Sequence, residues 1–160
     1  MSETDAGVAV INNSKYGVGI GDSNVTLSLL RATERPDPTS DIGHHEFTYM
    51  IIPHKGNAND AKINNIAFEY NIPLIKSDAN IDIDFGELYL QALKLSEDGE
   101  SIIVRLSEQN GKRGTIRNIG TFTICDMLEQ GNDVTDAYSF KPFEIITLKY
   151  TFDEFRKFIK

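Results

Sequence analysis

Two strand-like runs bracketing a loop that no helix can cross constrain this chain more than any other feature. In the first run Val25, Leu27 and Leu29 alternate; in the second, Phe47–Ile52 is β-branched, aromatic and aliphatic, the content that suits a pleated, half-buried surface. Pro36 and Pro38 fix their own φ and push Arg35 and Asp37 toward extended backbone, so the segment between the runs is loop. It carries Glu34, Asp37, Asp41, two arginines and Gly43. A stiff, charged loop on two apolar strands is where function is expected, because rigid scaffolds carry their sites on loops.

Short strand signals fill most of the rest. Gly7–Ile11, Tyr16–Ile20 and Val25–Leu30 read as strands separated by turns rich in Asn, Ser and Gly, and His44–Ile52 reads as the next, ending at Pro53. Asn59–Tyr70 breaks the pattern. Ile63, Ile66, Ala67 and Tyr70 fall at i, i+3, i+4 and i+7, an amphipathic helix with Asn59 as its N-cap and Asn71 and Pro73 as its end, expected to cover an end or face of a sheet. Strands follow at Leu88–Leu95, Ser101–Ser107, Thr115–Ile119, Thr121–Met127 and Phe143–Phe152. Glu129–Asp136 reads as a polar loop, Asn110-Gly111 as a hairpin turn, and Asp153–Lys160 as a helical turn burying Phe155 and Phe158. Many short strands at regular spacing predict a mainly all-β chain, an antiparallel β-sandwich with one short amphipathic helix, forming a single domain over residues 1–160.

Composition closes off several functions. At 160 residues the chain is long enough for an independent core that buries roughly 68–70% of the unfolded surface. A net charge of −8 argues against a phosphate-binding surface, so no nucleic-acid partner is expected. The lone Cys125 can form neither an intrachain disulfide nor a cysteine metal cage, and it reads as a small buried hydrophobe. No signal peptide is read after Met1 and no apolar run approaches ~18 residues, so no membrane partner and a cytoplasmic setting are expected.

Three constellations invite chemistry. His44, His45 and His54 lie close together with Asp41 and Glu46, but on a strand His44 and His45 point to opposite faces, which opposes a shared metal ion. Asp78-x-Asn80-x-Asp82-x-Asp84 imitates a calcium loop, yet Ile83 stands where glycine must turn the chain and Tyr89 where a bidentate glutamate belongs. Asp37 and Asp41 share a loop and are close enough in sequence to approach the carboxylate spacing of glycosidases, about 5–5.5 Å in retaining enzymes. Any acidic loop would give the same pattern, so no catalytic residue is assigned. The chain has no Trp, and Tyr49 and Tyr150 occupy core-like positions, which leaves few aromatic platforms for a free-standing sugar-binding module.

The run LSLLR…PDPTSDIGHHEFTYMIIPH resembles the C-terminal β-domain of glycoside hydrolase family 38, the α-mannosidases, with the closest likeness to the bacterial and cytosolic branch. The likeness extends back through SETDAGVAVINNSKYG and forward to Asn71-Ile72-Pro73-Leu74 and Lys141-Pro142-Phe143-Glu144-Ile145. It implies the non-catalytic C-terminal part of a zinc-dependent retaining α-mannosidase. The zinc ligands and nucleophile would belong to an N-terminal catalytic barrel, the expected partner, and this chain alone would be inactive and would hold no cofactor. By the same resemblance the loop matching Arg31, Asp37, Asp41 and Gly43 faces the barrel, where Arg31 would frame the rim of the α-mannoside pocket. An intradomain ion pair of Arg31 with Asp37 or Asp41 is the competing assignment for that residue. An independent carbohydrate-binding or protein-interaction module is the competing assignment for the chain. An apolar face left by a missing barrel, on the side of Tyr16 and the Arg31–Gly43 loop, predicts weak self-association.

Overall fold

The computed structural model describes residues 5–72, 78 and 80–160. The chain divides into two compact units, one up to residue 75 and one from residue 76 onward. Every described strand pairing is antiparallel, and strands far outnumber the two helices, as the sequence predicts.

The first unit contains two separate two-stranded ribbons. Strand β1 (Ala6–Asn12) pairs with β4 (Tyr49–Lys55), setting Ile11 opposite Met50 and Ala9 opposite Ile52. Strands β2 (Val18–Ile20) and β3 (Val25–Leu27) form the other ribbon, closed by a bond from Gly21 N–H to the Asn24 carbonyl at 3.0 Å. Gly17 is needed for close approach, since a Cβ there would sit 2.9 Å from Ser28 Cβ. Strand β4 begins later than the expected His44 and runs through Pro53, which the sequence reading placed at its end. Pro53 is tolerated because, among the described residues, β4 pairs with β1 alone, so its missing N–H can fall on the unpaired side.

Helix α1 (Ile63–Asn71) packs against β1 and presents the predicted residues inward: Ile63 is buried, Ile66, Ala67 and Tyr70 are half-buried, and the Tyr70 hydroxyl donates to Thr48 Oγ1 at 2.6 Å. Its start corrects the expectation. Asn59 is not the cap; Lys62 precedes the helix in left-handed backbone (φ 52°) and makes no side-chain cap bond. The Asn57 side chain instead accepts from the N–H groups of Asn59 and Asp60 and captures this segment in a turn. Pro73, expected to help end the helix, lies outside the described residues.

The second unit is built on a five-stranded sheet of order β5-β6-β9-β7-β8, comprising β5 (Tyr89–Leu95), β6 (Ser101–Ser107), β7 (Gly114–Cys125), β8 (Asp133–Phe140) and β9 (Ile145–Thr151). Val104, Leu106, Ile116, Phe122, Ile146, Leu148 and Tyr150 form the buried face. Helix α2 (Phe152–Arg156) covers it with Phe155, its N-terminus capped by the Thr151 hydroxyl and its acids Asp153 and Glu154 in the first turn. Phe122, Tyr150, Phe155 and Phe158 make an aromatic cluster with centroids 5.7–6.4 Å apart. Tyr150 is fully buried, donates to the Ile119 carbonyl at 3.1 Å, and has its phenol pushed well above the ordinary range by that burial. Residues 80–82 pair with 158–160, adding to the same layer.

The opposite face is crossed by the β7–β8 connection. Arg105 Nη2 donates to the Met127 carbonyl at 3.2 Å, and Glu129 accepts from Lys94 at 2.6 Å and from Glu97 N–H at 2.8 Å. This double cover explains why adjacent Ile103 and Val104 are both fully buried.

Three sequence readings of this unit need correction. Glu129–Asp136 is not all loop: β8 starts at Asp133, its polar residues suiting an edge strand. Thr115–Ile119 and Thr121–Met127 are one strand, kinked where Asn118 (φ 61°) and Gly120 (φ 73°) interrupt the register. Asn110-Gly111 does not close a hairpin, because β9 lies between β6 and β7. The connection is organised by Glu108 instead, 2% exposed, whose carboxylate accepts from the N–H groups of Asn110 (2.7 Å), Gly111 (2.9 Å) and Phe143 (2.8 Å). Two further expectations about burial also change: Tyr49 is 56% exposed rather than core, and Cys125 is only partly buried.

Candidate functional site

The charged loop lies in the first unit beside an open hollow of about 490 Å³. Local hydrogen bonding explains its shape. Asn12 Oδ1 accepts from Ser14 N–H (3.2 Å) and Lys15 N–H (2.6 Å), turning the chain so that Tyr16, 92% exposed, borders the hollow. Ser28 N–H donates to the Gly17 carbonyl at 2.8 Å and extends the β2–β3 ribbon beneath it. Beyond the ribbon Ala32 adopts φ 51° and donates its N–H to Asp41 Oδ2 at 2.6 Å, while the Thr33 and Ser40 hydroxyls meet at 3.1 Å. The proline-containing segment is thus tied off at its base.

These ties bring Arg31 and Asp41 to the hollow and leave Asp37 and Gly43 off its wall. The Asp37 carboxylate is occupied by the Thr39 hydroxyl (2.7 Å) and Thr39 N–H (2.8 Å), which together hold its pKa below the ordinary value. Gly43 has φ 147° and open space where a side chain would stand. Arg31 is exposed and makes no ion pair among the described residues, so the competing pairing with Asp37 or Asp41 is not formed. Lys15, whose ammonium lies 5.1 Å from the Phe47 ring centroid, and Thr33 also line the hollow. Neither was singled out by the sequence. The available signal was Asn12-Asn13-Ser14, a turn that aims the next two residues.

The histidines do not converge. His44 meets Glu46 at 3.2 Å, His45 Nε2 meets the Asp41 carbonyl at 3.1 Å, and both precede β4 rather than lying on a strand. The acidic run disperses as well, Asp82 pairing with Lys160 and Asp84 accepting from Gly86 N–H. Among the described residues no three His, Cys, Asp or Glu side chains are grouped to hold a metal ion.

A mainly antiparallel β-protein with a tied, charged loop over an open hollow of mixed polar and apolar lining is the class that fold and site define. Residues 1–39 match the glycosyl hydrolases family 38 C-terminal domain, and residues 87–148 match the glycosyl hydrolases family 38 C-terminal beta sandwich domain. Alpha-mannosidase 2C1 of Mus musculus is 33% identical over 98% of this chain, and alpha-mannosidase 2C1 of Homo sapiens 30% over 92%. Alpha-mannosidase G of Dictyostelium discoideum is 32% identical over 94%. The chain belongs to the C-terminal region of glycosyl hydrolases family 38. It spans only 16–17% of the length of these relatives. No solved structure matches it.

Proposed function

We propose that this chain serves as the C-terminal β-portion of a cytoplasmic α-mannosidase, a glycoside hydrolase acting on α-mannosyl substrates. In this reading the chain braces a catalytic barrel and lends Arg31 to the rim of the sugar pocket. One observation supports it above others: a solvent-facing guanidinium without an ion-pair partner among the described residues lines the same hollow as Asp41, within a chain that aligns almost end to end with a small part of much longer α-mannosidases. An unpaired arginine offers donors in a fixed fork to sugar hydroxyls or to a carboxylate that binds them.

Among the described residues no three His, Cys, Asp or Glu side chains group to hold the zinc that the family implies, and the His44 and His45 rings meet Glu46 and the Asp41 carbonyl. The zinc is assigned to the barrel, and no step of the chemistry is routed through this chain. On this reading the chain by itself is expected to leave aryl α-mannosides intact.

The decisive experiment is Arg31→Ala in the longer enzyme. A fall in kcat/KM of roughly 10- to 150-fold, about 1.5–3 kcal/mol for a hydrogen bond to a charged group, is expected with the thermal midpoint unchanged. Full activity would return Arg31 to the surface. Glycan binding by the isolated chain, centred on exposed Tyr16, would favour an independent carbohydrate-binding module instead.

A further inference from the structure

The β8–β9 corner of the second unit holds a bulky side chain on strained backbone and largely in water. Phe143 adopts φ 59°, left-handed backbone that a bulky side chain rarely enters, and its ring is 72% exposed. One side of the ring rests on Gly111, where an added Cβ would come within 3.1 Å of Phe143 Cζ. The corner beneath is held by two carboxylates. Glu108 accepts from Phe143 N–H at 2.8 Å; Glu144 accepts from Lys141 N–H at 2.6 Å and from the Tyr138 hydroxyl at 2.9 Å. Burial alone would raise the Glu108 carboxyl, but backbone N–H groups of Phe143, Asn110, Lys112 and Gly111 outweigh it and hold its pKa below the ordinary value. Glu108 N–H also bonds the Glu144 carbonyl at 2.9 Å, so the two loops at this end of the sheet are tied to each other.

Strain held by hydrogen bonds to the buried Glu108 carboxylate, while the strained side chain stays in water, points to a partner that uses the side chain. We propose that Phe143 is a preorganised aromatic anchor that inserts into an apolar pocket on the remaining part of the same longer polypeptide. This rests on the reading above that such a part exists, supported by relatives of which this chain spans about a sixth. The rigid corner lowers the ordering cost of docking, and a fully desolvated aromatic ring is the kind of group that dominates an interface. Ile145, 58% exposed at the start of β9, extends the apolar tip.

Phe143→Gly removes the ring and frees the backbone, and it should act oppositely in two settings. In the isolated chain the thermal midpoint is expected to stay or rise. In the longer enzyme limited proteolysis should release this region at least tenfold faster, with Phe143→Leu restoring most of the protection. A drop of several degrees in the isolated chain would assign the ring a role inside this unit and overturn the proposal. So would an unchanged release rate in a longer enzyme that still cleaves α-mannosides and still depends on Arg31; that result sinks the anchor while leaving the functional reading standing. If the longer protein has no α-mannosidase activity, the functional reading fails, and unchanged proteolysis there sinks the anchor separately. Concentration-dependent dimerisation of the isolated chain that Phe143→Gly abolishes would give the pocket to a second copy and also overturn the proposal.

Discussion

The two units start from similar strand-forming sequence and build very different interiors. Among the described residues the first unit buries only the apolar side chains Ile11 and Ile63, whereas the second buries Val104, Leu106, Ile116, Phe122, Leu148, Tyr150, Phe155 and several more. The difference is layering. In the second unit α2 and residues 80–82 lie over one face of five strands, and the β7–β8 connection crosses the other. In the first, α1 covers one side of the β1–β4 ribbon while Val8, Val10, Tyr49 and Ile51 on the other side stay exposed. A strand that is apolar on both faces suits a doubly covered sheet, and a two-stranded ribbon alone is marginal in water. Apolar strands become a core only when something lies on both sides of them.

Hydrogen exchange gives the largest expected contrast. Amides of β6 and β9 should exchange only with global unfolding, and those of β2 and β3 through local opening, with rates differing by about a thousandfold or more. Equal protection in both units would break the comparison. Next in size are matched truncations. Leu148→Ala, at a fully buried position, should cost about 2–5 kcal/mol by denaturant unfolding. Val10→Ala, on the exposed side of β1, should cost below about 0.5 kcal/mol.

Glu108 sharpens the comparison through pH. Its folded pKa lies below the ordinary value near 4.5, so the stability it contributes is complete above that value and is lost as pH falls through the lower folded one. Unfolding of the second unit should show this acid limb. Glu108→Gln, which sets an amide donor among backbone donors, should cost about 2 kcal/mol at neutral pH and flatten the limb. An unaltered acid limb in the variant would move the titration to another carboxylate.

What was legible in sequence follows the same division. Period-two alternation and the i, i+3, i+4, i+7 spacing found most strands and the inward face of α1, because those patterns record burial directly. Strand β8 escaped because Asp133, Asp136 and Ser139 serve an edge, where polar residues are normal. Asn110-Gly111 misled because a turn dipeptide specifies local backbone and not which strands become neighbours; β9, far along the chain, takes the place between β6 and β7. The rim role of Arg31 came out of a resemblance, and the hollow it shares with Asp41 depends on the Ala32–Asp41 bond, which no spacing rule anticipates. Glu108 had no sequence signal at all. A lone glutamate after a strand looks like surface until a second loop brings it Phe143 N–H.

The smallest predicted effect tests whether the units unfold separately. Lys62 stands before α1 at φ 52°, exposed, in a region where glycine is free of the Cβ clash that other residues carry. Lys62→Gly relieves that clash but adds freedom to the unfolded chain, so the net gain should be only about 0.5 kcal/mol. The gain belongs to the first unit. It should slow the exchange of backbone amides in α1, where Tyr70 is bonded to Thr48, and leave the exchange rates of β6 and β9 unchanged. If Lys62→Gly shifts both by the same free energy, the two units share one cooperative transition. Sparse burial around Ile11 and Ile63 would then no longer measure the stability of that half of the chain.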